Sequence, residues 1–167
     1  MKNLFIVSAL SVVVLFITSG FTFGTMQTAS ALTWNWNYAA AGVTANGTFT
    51  TNDTPDSLGF YQIYEITGIR NGETITGLQP VSIPIPGNEP YHVDNLISSH
   101  SPQLTVKGFG YTTATGNYCS PFFADFLPKP GYLEVFSVPP FVTGAENFGI
   151  EDSELSINFS ATIITKP

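Results

Sequence analysis

The chain has 167 residues, with five Lys and Arg against twelve Asp and Glu, a net charge of −7 at neutral pH and one cysteine. Binding nucleic acid or anionic lipid by counterion release needs clustered Lys and Arg, which this sequence lacks. Cys119 has no second thiol to pair with, so the fold rests on its apolar core rather than on an internal disulfide.

Lys2 precedes an apolar run from Leu4 to about Phe23, and a polar stretch then closes on Ala29-Ser30-Ala31. A basic start, an apolar middle and small residues at the end predict a secretory signal peptide, cleaved after Ala31. A membrane anchor is the competing reading. Ser8, Ser11, Thr18, Ser19 and Gly20 dilute the run and no basic cluster follows it, so residues 32–167 are expected to be exported, extracellular or periplasmic, and free of the membrane. That length suits one domain.

After Leu32 the sequence reads as strands punctuated by Gly, Pro, Asn and Asp, with no long stretch of helical period. Trp34, Trp36 and Tyr38 alternate with Asn35 and Asn37, which places three aromatics on one face of a first strand. A Thr-rich second strand over 43–51 contains Asn46-Gly47, read as a bulge. Residues 60–78 predict a hairpin turning at Asn71-Gly72, a pair suited to the positive φ angles of a type I′ turn. Gly68 and Gly77 beside it permit a bulge or the close approach of another backbone.

Pro80, Pro84, Pro86 and Pro90 exclude a central strand over 79–90, which is expected to be an extended surface crossing. Strands are predicted over 91–97, 104–112, 118–126 and 132–138. The cleanest is the last, where Leu155, Ile157, Phe159, Ala161 and Ile163 alternate with Ser156, Asn158, Ser160 and Thr162. About eight such strands predict an all-β fold, either two packed antiparallel sheets or a partly closed barrel. The jelly-roll-like β-sandwich is the preferred reading.

Candidate chemistry is sparse. His92 and Asp94 would share a face if residues 91–97 were a strand, and Asn95 follows them. Trp34 and Trp36 lie about 7 Å apart along one strand face, a spacing that suits stacked sugar rings as well as core packing. Asp53 with Asp56, and Glu151 with Asp152, are loop carboxylates of the kind calcium takes, although neither group follows EF-hand spacing. Calcium is the only cofactor suggested. Glu89 with Asp94 resembles a glycosidase acid pair in residue type alone. Cys119 reads as a small packed apolar residue. No nucleophile elbow, zinc-protease helix or phosphate-binding glycine loop occurs.

Asn88-Glu89-Pro90-Tyr91-His92-Val93-Asp94-Asn95-Leu96-Ile97, with Ile66-Thr67-Gly68-Ile69-Arg70-Asn71-Gly72 and Glu151-Asp152-Ser153-Glu154-Leu155, resembles a family of uncharacterised secreted bacterial proteins, frequent in cyanobacteria. Many members of that family end in a PEP-CTERM sorting tail. The resemblance implies export and no particular activity. This chain stops at Ile164-Thr165-Lys166-Pro167 without such a tail, which implies release rather than surface sorting, or a truncated reading frame. The expectation is a secreted, non-enzymatic structural or binding module of the matrix or cell surface, with extracellular polysaccharide or surface proteins as partners. A calcium-dependent carbohydrate-binding module and a glycan-acting hydrolase are the alternatives.

Overall fold

The structure, a computed structural model, describes residues 31–141 and 153–164. The strands with the strongest alternation form as the sequence predicts. In β1 (Ala31–Ala40) the side chains of Trp34, Trp36 and Tyr38 are buried, while Thr33, Asn35 and Asn37 face water. After β2 (Val43–Asn52) comes the predicted hairpin of β3 (Phe60–Arg70) and β4 (Glu73–Leu78). It turns at Asn71 and Gly72 with φ of 49° and 82°, the pair of positive angles that matches strand twist. The remaining strands are β5 (Leu96–Ser98), β6 (Tyr111–Thr113), β7 (Tyr118–Ala124), β8 (Gly131–Ser137) and β9 (Ser153–Ile163). In β9, Ile157, Phe159 and Ala161 are buried and Ser156, Asn158 and Ser160 are exposed.

All pairings are antiparallel, and the sheet closes on itself in the order β1-β2-β3-β4-β6-β7-β8-β9 and back to β1. The fold is therefore an eight-stranded barrel, not the expected sandwich. The two pairings that decide this are β2 with β3 and β1 with β9, both long and in regular register over most of their length. Alternation along a strand reports that one face is buried, but not whether it lies against a second sheet or inside a closed one. Closure gives each of the eight strands a partner on both sides, although β3 and β4 pair only at Ile69–Thr74 and Arg70–Glu73, next to their turn.

Three further expectations are corrected. No bulge interrupts β2 at Asn46-Gly47; the register shift against β3 falls between Thr50 and Thr51. Gly47 instead lies opposite Gly68, so close that a Cβ on Gly47 would sit 1.8 Å from the Thr67 carbonyl oxygen. The strands predicted over 91–97 and 104–112 shrink to β5 and β6, because most of 79–110 is an irregular crossing from β4 to β6. Several of its apolar residues are still buried: Val93, Leu104 and Phe109 have no exposed surface, so the hydrophobic positions there mark packing rather than strand. The crossing is also no simple surface segment, since Gln79 and Ile85 are buried within it.

The barrel interior is filled by rings. Trp36 stacks on Phe49 at 5.3 Å between centroids, Phe49 meets Phe109 edge-on at 4.8 Å, and Phe109 lies 5.8 Å from Phe159. A barrel of this strand number is just wide enough for side chains to fill it.

Candidate functional site

The first part of the crossing packs on the outward side of β7 and β8, its later part sends Leu104 and Phe109 into the core, and one residue anchors it. Asn95 stands at φ 54° with almost no exposed surface. Its side chain donates to the Gln79 carbonyl (2.8 Å) and accepts from the Gly110 amide (3.2 Å), tying together the two ends of the crossing. Its own amide donates to the Gly108 carbonyl (2.9 Å), and its carbonyl accepts from the Ile63 amide of β3 (2.8 Å). Gly108, at φ 61°, presses against β7, where a Cβ would stand 1.9 Å from the Pro121 carbonyl oxygen. Buried backbone needs such partners wherever no ladder supplies them.

Between this crossing and β7–β9 lies a groove of about 540 Å³. Ile85 and Val135 are its buried apolar residues, and Ser120 adds a buried hydroxyl-bearing side chain. Phe122 and His92 line it and are half-buried. Tyr91, Val106 and Phe126 keep 64%, 55% and 68% of their surface in water at its mouth. Lys107 and Glu154 bring one charge of each sign, both exposed. Phe122, Val135 and Glu154 reach the groove because alternation sends them outward while Phe123, Glu134 and Leu155 point inward.

The residues expected to carry chemistry are placed apart. His92 lines the groove. Asp94 does not work with it: its carboxylate accepts from the Thr105 hydroxyl (2.7 Å) and the Leu96 amide (3.3 Å). Burial pushes the Asp94 carboxyl above its usual range, and the Thr105 hydrogen bond offsets part of that rise. Asn95 serves the scaffold, as described. Trp34 and Trp36 point into the barrel and offer no ring face to solvent; Trp34 Nε1 donates to Thr51 Oγ1 at 3.0 Å. Asp56 caps the β2–β3 connection by accepting from the Leu58 and Phe60 amides, both at 2.9 Å. Asp53 accepts from the neighbouring Thr54 hydroxyl. Glu151 and Asp152 lie outside the described residues. Among the described residues, no three His, Cys, Asp or Glu side chains converge as a metal site would require.

A second polar constellation, with no counterpart in the sequence reading, lies inside the barrel. Arg70 grips Glu134 with two hydrogen bonds, Nε to Oε1 (2.8 Å) and Nη2 to Oε2 (2.9 Å). Its guanidinium lies 4.0 Å from the centre of the Phe136 ring. Tyr38 donates its single hydroxyl proton to Glu134 Oε1, so Tyr111 must be the donor in the Tyr111–Tyr38 pair. Burial raises the hydroxyl pKa of both tyrosines and the thiol pKa of Cys119, with the Glu134 charge adding to each. Cys119 is thus a buried neutral thiol, as its sequence neighbours suggest. One signal was available: in Tyr132-Leu133-Glu134-Val135-Phe136 a lone carboxylate interrupts an apolar and aromatic run.

Compared with known proteins, the chain matches no family model, no curated protein and no solved structure.

Proposed function

We propose that this chain is a secreted, non-enzymatic binding module whose ligand seat is the groove between the crossing and the outer face of β7–β9. The observation that carries the reading is the state of the groove mouth. Three large apolar side chains, Tyr91, Val106 and Phe126, stay mostly in water around a recess whose depth is apolar. Recesses of 300–1,000 Å³ with apolar walls and a few polar groups are the usual seats of small ligands. Exposed aromatics grouped at one place gain by being covered.

The groups that catalysis would need support binding rather than turnover. Asp94 is taken up by Thr105 and Leu96, and Cys119 is enclosed as a neutral thiol. Export rests on the Lys2 to Ala31 pattern and on the resemblance to secreted bacterial proteins. Amide chemical shifts of the labelled protein, titrated with a panel of small ring-bearing compounds, test the seat. Shifts concentrated at residues 85–92, 106–107 and 120–126 are expected, and they should vanish in a Tyr91→Ala, Phe126→Ala variant. Shifts that map elsewhere, or no binding from the panel, would sink the proposal.

A further inference from the structure

The charges of the groove select among the molecules it can seat. Glu154 projects from the outer face of β9, and its carboxylate has no hydrogen bond or ion pair with any described residue. Lys107, the opposite charge, likewise forms no ion pair with a described residue, but it lies within Coulomb range of the Asp94 carboxylate, whose ionised form it favours. Tyr91 and Phe126 add two exposed ring faces at the mouth, and the whole chain carries −7. Ring faces and a carboxylate both attract cations, and a net negative protein concentrates them.

We infer that the groove seats an organic cation with an apolar body, such as an aryl- or alkylammonium. The hydrocarbon lies against Ile85 and Val135, and the ammonium stays at the mouth with Tyr91, Phe126 and Glu154. This assignment rests on the groove being the ligand seat. An anion of the same shape would be drawn by Lys107 alone and opposed by the Glu154 carboxylate and the negative field of the chain. A neutral isostere would keep only the burial of its hydrocarbon.

The test uses three probes that carry a tetrahedral head on one benzyl group, followed by chemical shifts of the full exported protein: benzyltrimethylammonium, its carbon isostere neopentylbenzene, and phenylmethanesulfonate. The cation is expected to bind about tenfold tighter than the isostere at low salt, the sum of an exposed cation–π contact and one screened charge pair. The anion should bind weakest. Glu154→Gln, on an exposed strand face that carries no core packing, should cut the preference to about twofold, and added salt should erode it. Equal binding of cation and isostere, a preference for the anion, or an undiminished preference in Glu154→Gln would each overturn the cation assignment while leaving the groove as a seat. Groove-localised shifts from none of the three would overturn both.

Discussion

Glu134 has no exposed surface, and its partner Arg70 lies 64 residues away in the sequence. A carboxylate withdrawn from water loses hydration worth several kcal/mol, and only partners of good geometry offset that loss. Here the offset is visible atom by atom. Both oxygens are gripped by the guanidinium fork, and Oε1 accepts the Tyr38 hydroxyl as well. The pair therefore contributes less to stability than its removal would cost. Glu134→Gln, which strands the Arg70 charge, is expected to lose about 3 kcal/mol or more in urea unfolding. Arg70→Met combined with Glu134→Leu should recover most of that loss. A single-variant loss under about 1 kcal/mol would mean that water reaches the pair. No reading of neighbours along the chain brings these two residues together, whereas the stranded carboxylate in an apolar and aromatic run is legible as an anomaly.

Among the elements, β2 and β3 carry the sharpest constraint. Gly47 and Gly68 face each other where the two backbones nearly touch, and Gly68 adopts a φ of 149°. A side chain at either position would push the strands apart at a pairing the closed barrel depends on. Gly47→Ala should destabilise by a few kcal/mol, as a backbone clash does when nothing flexible can yield. Thermal unfolding is the check, with Gly42→Ala as the control, since a Cβ there meets nothing within 4 Å although its φ of 77° still strains it. A Gly47→Ala protein no less stable than this control would refute the close approach. The Asn46-Gly47 pair shows why the expected bulge failed. Glycine signals a special backbone position, but whether that is a bulge or a near collision depends on the strand opposite. Within the crossing, Asn95 follows the same logic: its residue type and φ are local, but its partners Gln79, Gly108 and Gly110 become neighbours only when 79–110 folds over the barrel.

On the scale of the molecule, closure turns the interior into a sealed aromatic core and moves the recess to the outside. Cys119 reports on that seal, because it lies on the inward face of β7 opposite Tyr111 and Phe136. With its thiol enclosed and kept neutral, it should react with a thiol reagent only at the rate of global opening. The reaction half-time in native buffer is expected to track the stability of destabilised variants such as Glu134→Gln. Rapid labelling of the native protein would show the barrel to be open along β6 and β7. Whatever nearest neighbours govern is legible along the chain: the alternating faces of β1 and β9, the turn at Asn71-Gly72, the proline-barred crossing and the packed character of Cys119. These follow from a side-chain period of two and from the φ angles that particular residues tolerate. Closure of the sheet, the inward direction of Trp34 and Trp36, the meeting of Arg70 with Glu134 and the groove shared by Tyr91, Phe126 and Glu154 emerge only in the folded molecule. Each of these joins residues far apart in the chain, and pairing across such distances is set by how whole strands find partners rather than by any local pattern.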